Sequence, residues 1–133
     1  GMDKIQNWLE ISARVKQKNI PVVILIDQED CPYCRRVEGE FIAGLVASGE
    51  LDGQAVFGKI SIDAGETIVN QAGDTVSTRD FLAGLNTSFT PTILFLDGEK
   101  NELVEKMIGL STPDYYGFYL EQSIKKAIQT LRS

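Results

Sequence analysis

The stretch from Val22 to Cys34 reads VVILIDQEDCPYC and contains the pattern from which the rest of the fold can be inferred. Its first five residues form a continuous apolar run rich in β-branched side chains, which is typical of a strand buried on both faces of a sheet. Polar residues then lead to two cysteines, and Pro32 suits the first turn of a helix. The order strand, loop, cysteines, helix predicts that Cys31 lies at a helix N-terminus.

The sequence on both sides of this stretch extends the pattern into a β-α-β unit. Apolar residues at helical spacing predict a helix from Asp3, as its N-cap, to about Lys18. A second helix follows the cysteines and stops at Gly49. The alternation from Ala55 to Asp63 predicts a strand parallel to the first. The side chains expected to point inward from the second helix are those of Val37, Phe41, Leu45 and Val46.

The C-terminal half adds an antiparallel part to the sheet. Residues 64–88 are predicted to form a loop and then a short helix capped at Ser77. Strand 92–96, a turn at Asp97-Gly98 and an edge strand from Glu102 to Gly109 make a hairpin. A last helix begins with Thr112 as cap and Pro113 at its first position. We therefore expect a single α/β domain over residues 1–133, with a four-stranded mixed sheet flanked by helices.

Composition and charge exclude several classes of function. The net charge of -6 and the lack of a basic cluster argue against nucleic acid as a partner, because that affinity depends on Lys and Arg. The longest apolar run, residues 21–26, is far shorter than the roughly 20 residues of a membrane-spanning helix. Gly1-Met2 resembles a cloning remnant, which leaves room for a secretory signal upstream. The expected protein is a monomer that does not insert into a membrane.

The cysteine pair has the spacing of a redox site. Two cysteines at i and i+3 on a helix share one face and can bridge. The helix N-terminus would stabilise the Cys31 thiolate, which attacks a disulfide, and Cys34 would resolve the resulting mixed disulfide. The charge around the motif is mixed and its balance cannot be signed from the sequence. Asp27, Glu29 and Asp30 oppose ionisation of Cys31, whereas Arg35 and Arg36 favour it.

The sequence gives less support to two other roles for the cysteines, a zinc site and a structural disulfide. A structural zinc site requires four Cys or His ligands, and this chain has no histidine and no third cysteine. An inert structural disulfide closing so short a loop would gain little chain-entropy stabilisation. We therefore expect neither a metal nor another cofactor.

The chain resembles the thioredoxin superfamily over nearly its whole length. The resemblance rests on the order of elements, on Cys31-Pro32-Tyr33-Cys34 after a buried strand, and on Thr90-Pro91-Thr92 at the start of a later strand. It implies a thioredoxin fold with a cis Pro91 beside the cysteines. It also implies that Thr90 offers backbone groups to an extended client segment, and that Gly109 lets the client approach closely. The substrate-binding residues assigned in this way are Pro32, Tyr33, Thr90, Pro91 and Gly109.

Other positions depart from the thioredoxin pattern. Lys59 matches a lysine beneath the thioredoxin active site and is assigned to proton-transfer support, but Leu25 replaces its usual aspartate partner. Asp27 stands where a tryptophan is usual. An N-terminal helix is added, and a loop and helix are inserted before the cis-proline, between Asp63 and Phe81. The inserted segment resembles that of bacterial thioredoxin-related proteins associated with sulfur-oxidation operons, which are usually exported. We therefore predict a periplasmic location, with the cytoplasm as the alternative.

Four functions compete at this point. The first is a reductase that takes electrons from an upstream thiol donor and exchanges the Cys31-Cys34 dithiol with client disulfides. The second is a disulfide oxidant or isomerase, which would use the same residues. The third is a glutathione-dependent oxidoreductase, because the Pro32-Tyr33 dipeptide is common in glutaredoxins, although their glycine pair is missing. The fourth is a client-binding module without turnover, against which the intact cysteine pair speaks.

Overall fold

A computed structural model of the chain describes residues 2–133. Its elements in chain order are α1 (Trp8–Lys18), β1 (Val22–Asp27), α2 (Pro32–Arg36), a π-helical segment (Val37–Ile42), α3 (Ala43–Ser48), β2 (Val56–Ser61), β3 (Thr67–Val69), β4 (Thr75–Ser77), α4 (Thr78–Phe81), β5 (Thr92–Leu96), β6 (Met107–Ile108) and α5 (Pro113–Arg132). None of the helices among these residues is long and apolar enough to cross a membrane.

The main sheet has four strands in the order β2-β1-β5-β6. Strand β1 pairs in parallel with β2 and antiparallel with β5, and β5 pairs antiparallel with β6. Every residue of β1 is buried, because the sheet carries a core on each face. Val22, Ile24 and Ile26 face the core that contains α1, whereas Val23 and Leu25 face the core that contains α5. The predicted mixed sheet with flanking helices is confirmed.

The N-terminal helix begins later than predicted. Asn7 caps it by accepting a hydrogen bond from the Glu10 N–H, so the prediction that Asp3 is the cap is wrong. The preceding residues instead run extended along the edge of β2. There the Ile5 N–H donates to the Lys59 carbonyl (2.8 Å), and the Lys59 N–H donates to the Asp3 carbonyl (3.0 Å). A helix at these positions would leave that strand edge without its hydrogen bonds.

The close approach of this N-terminal segment requires a glycine in β2. A Cβ built on Gly58 would lie 2.6 Å from Cγ1 of Ile5. No side chain fits at that distance, so the buried Ile5 occupies the space that any other residue would fill. The sequence of β2 thus provides room for the segment beside it.

The helix after the cysteines ends at Gly49, as predicted, in a left-handed conformation. The expectation that Val46 points inward is wrong, because its side chain is exposed. The π-helical segment adds a residue to one turn, which rotates the later residues relative to a regular helix. Ile42 is consequently fully buried, whereas Phe41 and Leu45 are half-buried.

The region predicted as a loop after β2 contains a hairpin of two short strands, β3 and β4. The Asn70 side chain organises its turn by accepting hydrogen bonds from the N–H groups of Ala72 and Asp74. Ile68 is buried against the core that contains α1. The short helix that follows is confirmed, with the Ser77 hydroxyl accepting from the Asp80 N–H (3.1 Å).

The edge strand is shorter than the predicted range of Glu102 to Gly109. Only Met107 and Ile108 pair with β5 as a strand, and Glu102 forms an isolated bridge with Leu96. The adjacent residues Leu103 and Val104 both pack on the core that contains α5. Neighbours in a regular strand point to opposite faces, so this shared burial interrupts the ladder. The last helix is confirmed, with Thr112 as its N-cap residue.

A buried hydrogen bond fastens α1 to the turn after β5. The Ser12 hydroxyl donates to the Gly98 carbonyl at 2.7 Å, and Ser12 is fully buried. We expect Ser12→Ala to lower the free energy of unfolding by about 1–2 kcal/mol, because the Gly98 carbonyl loses its buried donor. Urea unfolding of the oxidised protein measures this change.

The matched control is Ser48→Ala. The Ser48 hydroxyl also donates to a backbone carbonyl, that of Leu45 at 2.8 Å, but it is exposed and its partner is in the same helix. Its removal should change the free energy of unfolding by less than about 0.5 kcal/mol. Equal losses of unfolding free energy in the two variants would show that the buried hydrogen bond of Ser12 stabilises the fold no more than the exposed one of Ser48.

Candidate active site

Cys31 and Cys34 form a disulfide at the start of α2, with a Cα to Cα distance of 5.2 Å. Cys31 is the N-cap residue, in extended conformation, and Pro32 follows at the first helical position. The two sulfurs differ in accessibility, since Cys31 is partly exposed and Cys34 is fully buried. The predicted disulfide is confirmed, and its outer member is the one that a client could reach.

Backbone groups of α2 surround the outer cysteine. The Cys34 N–H donates to Cys31 Sγ at 3.2 Å, and the Arg35 N–H donates to the Cys31 carbonyl at 3.2 Å. The sulfur therefore takes the position that a serine or aspartate oxygen has in an ordinary N-cap. When the disulfide opens, this N–H and the positive end of the helix stabilise a thiolate at Cys31.

The two arginines after the motif are both paired with carboxylates. Arg35 Nη2 forms an ion pair with Asp27 Oδ2, and Arg35 Nη1 lies 3.4 Å from the Gln28 carbonyl. Arg36 pairs with Glu40 on the exposed surface, at 3.2 Å. The sequence left open whether these cations act on Cys31. In the structure, each arginine forms an ion pair with a carboxylate instead.

Asp27 is buried at the end of β1, where the thioredoxin pattern has a tryptophan. Its Oδ1 accepts from the Ser61 hydroxyl at 2.5 Å, while its Oδ2 is paired with Arg35. Because Arg35 belongs to α2 and Ser61 to β2, the carboxylate joins the cysteine helix to two strands. From the sequence, Asp27 was expected to act as a charge near the motif, and its contacts with Arg35 and Ser61 were not predicted.

Lys59 lies on β2 and forms an ion pair with Glu38, from its Nζ to Glu38 Oε1 at 3.1 Å. Leu25 is directly opposite Lys59 in the sheet, so the strand position supplies no carboxylate. The carboxylate comes from the helix instead. Sequence reasoning missed Glu38, although its position four residues after Cys34 places it on the same helix face. The role of Lys59 in proton transfer stays a prediction.

Opposing effects act on the Glu38 carboxyl. Desolvation by burial raises its pKa, whereas the hydrogen bond from the Met2 N–H (2.8 Å) and the ion pair with Lys59 lower it. Arg35 adds a weaker electrostatic effect in the same direction as Lys59. The net result is a pKa below the ordinary value of 4.5, so that the buried side chain is a carboxylate at neutral pH.

The remaining predicted site residues gather at the same end of the sheet. Thr92 is opposite Ile26 of β1, so the residue before Thr92 lies beside the strand end from which the cysteine loop leaves. The Thr90-Pro91 peptide bond is cis, and Pro91 is buried. The Gly109 N–H donates to the Pro91 carbonyl at 2.8 Å.

Exposed apolar side chains stand around these residues. Phe89 is exposed, and its ring lies 3.5 Å from the position of a Cβ on Gly109. Tyr33, between the cysteines, and Ile108, before Gly109, are exposed as well. The assignment of Pro32, Tyr33, Thr90, Pro91 and Gly109 to substrate binding stays a prediction.

A sequence model of the thioredoxin-like domain family matches residues 10–124, so the chain belongs to this family. No curated protein sequence matches the chain. Solved structures with the same fold include an oxidoreductase named DsbH (TM-score 0.67, 14% identity, 97% of this chain and 86% of that one). Oxidised mitochondrial thioredoxin 3 of Saccharomyces cerevisiae is a second (0.58, 20%, 93% of both chains). Reduced SoxS, a periplasmic thioredoxin of Paracoccus pantotrophus, is a third (0.52, 19%, 80% and 98%).

The family and the disulfide at the helix N-terminus together define the class of enzyme. The protein is a thioredoxin-like protein-disulfide oxidoreductase.

The ion pair between Arg35 and Asp27 should stabilise the fold. We expect Arg35→Gln to lower the free energy of unfolding by about 1–2 kcal/mol, less than for a fully buried pair because Arg35 is half exposed. The matched control is Arg36→Gln, which should cost less than about 0.5 kcal/mol, since both members of its ion pair are exposed. Urea unfolding of the oxidised proteins measures both changes, and equal costs would contradict the role given to Asp27.

Glu38 should make the folded state sensitive to acid. Its pKa is lowered in the folded protein, so the unfolded chain takes up a proton at this group first as the pH falls. The stabilisation is present above the unfolded pKa and is lost as the pH falls through the folded pKa. Between about pH 5 and pH 3, wild type should lose more free energy of unfolding than Glu38→Gln does. Parallel losses in urea unfolding would refute the assignment.

Proposed function

We propose that this oxidoreductase works as a reductase of client disulfides. The Cys31 thiolate attacks one sulfur of the client disulfide, and the other client sulfur leaves as a thiolate. Cys34 then attacks Cys31 Sγ, which releases the second client sulfur and leaves the Cys31-Cys34 disulfide. The client gains two electrons and two protons, and the enzyme loses them. An upstream thiol donor restores the dithiol by the same exchange in reverse.

The observation that supports reduction of clients, rather than their oxidation, is that both arginines after the motif are paired with carboxylates. Strongly oxidising thiol-disulfide oxidoreductases stabilise their reduced form. Unpaired positive charge next to the thiolate is one source of this stabilisation. Here Arg35 and Arg36 are paired with Asp27 and Glu40. The residues just before the motif, Glu29 and Asp30, are exposed acids. Backbone groups are thus the main support of the Cys31 thiolate, which favours a low reduction potential.

The client surface that we propose surrounds the exposed sulfur. An extended client segment would lie along Thr90 and Pro91, with Gly109 leaving room for its backbone. The exposed side chains of Tyr33 and Phe89 would contact apolar residues that flank the client cysteine. We propose that the protein acts as a monomer, because one chain carries both cysteines and the whole of this surface.

The location that we propose is the periplasm. A structural neighbour, SoxS, is described as a periplasmic thioredoxin, and the inserted segment before Pro91 resembles exported proteins of that kind. A reductase there would keep chosen clients reduced in an oxidising compartment. Fractionation of cells that express the natural gene tests this, and recovery of the protein only with cytoplasmic markers would exclude it.

The reduction potential of the Cys31-Cys34 pair separates reductase from oxidant. Equilibration in glutathione buffers should give a value near that of thioredoxin, about -270 mV, whereas a value near -120 mV would identify an oxidant. The same titration tests the alternative that the protein is a glutathione-dependent oxidoreductase. Stable accumulation of a glutathione adduct on Cys31 in the wild-type protein would favour that function over client reduction.

Cysteine variants test the assigned roles. Insulin reduction driven by dithiothreitol should be fast with wild type and should fall to the uncatalysed rate with Cys31→Ser, because the remaining thiol, that of Cys34, is buried and does not reach the client. Cys34→Ser should retain attack on the client but accumulate a mixed disulfide that gel electrophoresis under non-reducing conditions detects. Equal insulin reduction by wild type and Cys31→Ser would instead support the binding module without turnover.

A further inference from the structure

Exposed aromatic side chains cover the outward side of α5 in its first two turns. Tyr115, Phe118 and Tyr119 are 62%, 60% and 51% exposed, and their spacing places them on one side of the helix. The opposite side is buried in the core through Tyr116 and Leu120. The rings of Phe118 and Tyr119 are arranged edge to face, with their centroids 5.6 Å apart. These three exposed rings, called the aromatic face below, are typical of an interaction surface.

A cavity connects the aromatic face to the residues beside the disulfide. It has a volume of about 220 Å³ and lies between β6 and the start of α5, with Ile108, Gly109 and Tyr119 in its wall. The Gly109 N–H donates to the Pro91 carbonyl, so the same glycine borders the cavity and the proposed client surface. A client segment that lies along Pro91 can therefore continue across the cavity onto the aromatic face.

The elements around the disulfide carry no unpaired cation. Three stretches of the sequence form β1 with the cysteine motif, the cis-proline with β5, and β6 with the beginning of α5. None of the three contains Lys or Arg, and they are residues 19–34, 80–99 and 107–124. Arg35 and Arg36, after the motif, are paired with carboxylates, and Lys106, before β6, is paired with Glu102 at 2.9 Å. An acidic client would find no free cation on these elements.

Free carboxylates lie on the same elements. Asp114 is exposed in the first turn of α5 and forms no ion pair within residues 2–133. It precedes Phe118 by four residues, so the carboxylate and the ring are neighbours on the helix surface. Glu29 and Asp30, just before Cys31, are exposed acids as well. A Lys or Arg side chain over the aromatic face can thus contact a ring and a carboxylate together.

We propose that the aromatic face and Asp114 bind a client segment that combines basic and apolar residues, while the client disulfide lies at Cys31. This inference rests on the client reduction proposed above, and it names the class of client as proteins with basic, apolar sequence beside the disulfide. Aromatic rings attract cations through their negative faces, and their edges and methylene contacts bury apolar groups. The net charge of -6 adds attraction for a basic client before contact.

Binding at the aromatic face acts on the encounter with the client and leaves the bond exchange as it is. Complementary charge raises the rate of productive encounter, and contacts with the flanking segment hold the client disulfide near the exposed sulfur. The second-order rate constant should therefore depend on the sequence that flanks a client disulfide. A small disulfide without a flanking segment should not be affected, because it does not reach α5.

The experiment measures the second-order rate constant at which peptide disulfides oxidise the reduced protein. Three synthetic peptides share one disulfide loop and have tails of equal length, in which Phe alternates with Lys, with Glu or with Ser. Rapid alkylation followed by mass spectrometry gives the oxidised fraction of the protein. At low salt the Lys-Phe peptide should react about tenfold faster than the Glu-Phe peptide, with the Ser-Phe peptide between them. Raising the salt from about 0.02 M to about 0.5 M should remove most of this difference.

Two variants test the surface itself. Phe118→Ser and Asp114→Asn should each slow the Lys-Phe peptide by about twofold to fivefold, because each removes one exposed attraction. Neither should change the rate with a small aromatic disulfide. The matched control is Leu9→Ser, which removes an exposed apolar side chain from α1, on the other face of the sheet. An unchanged Lys-Phe rate in both α5 variants, or equal slowing in Leu9→Ser, would overturn the proposal.

The outcomes separate this proposal from the function on which it rests. If reduced wild type is oxidised by neither the small disulfide nor any peptide, the reductase function fails. If the small disulfide reacts and the three peptides share one rate, or the Glu-Phe peptide is fastest, only the class of client is wrong. Sedimentation of the wild-type protein tests a second copy as the occupant. A monomer is expected, and a dimer that Phe118→Ser dissociates would overturn the proposal in favour of self-association.

Discussion

Strand β1 is enclosed on both edges and both faces, and the rest of the structure is arranged around it. It hydrogen-bonds to β2 on one side and to β5 on the other, and its side chains alternate between two cores. The chain that follows the C-terminal end of β1 must therefore run from the buried interior to the surface within a short loop. The cysteine motif occupies that passage. Cys31 consequently reaches solvent while Cys34, one helical turn further on, remains buried.

The same enclosure governs the charges near the motif. A carboxylate at the end of a buried strand needs partners, and Asp27 obtains them from Ser61 and Arg35. Arg35 is then committed to stabilising the fold and contributes less to the Cys31 thiolate. A structural requirement thus weakens the stabilisation of the reactive sulfur, which links the packing of β1 to the direction of electron flow that we propose. Backbone N–H groups, which no substitution removes easily, provide the remaining stabilisation.

The helix after the motif combines two further functions in a short length. Its first turn presents the disulfide, and its second turn buries Glu38 against Lys59. The π-helical segment that begins at Val37 widens this part of the helix and turns Ile42 into the core. Insertions of this kind are frequent at functional sites, because they direct one side chain inward without ending the helix. The N-terminal segment closes the arrangement, since its Met2 N–H binds the same carboxylate.

The features that depend on neighbours along the chain could be predicted from the amino-acid sequence. These are the buried run of β1, the cysteines at a helix start, the stop at Gly49 and the start of α5 at Pro113. The features that join distant residues could be seen only in the folded chain. The pairing of Glu38 with Lys59 and the extension of residues 3–5 along β2 belong to this group. Local propensity and periodicity act over a few residues, whereas these contacts need strands and helices already in place before their energies apply.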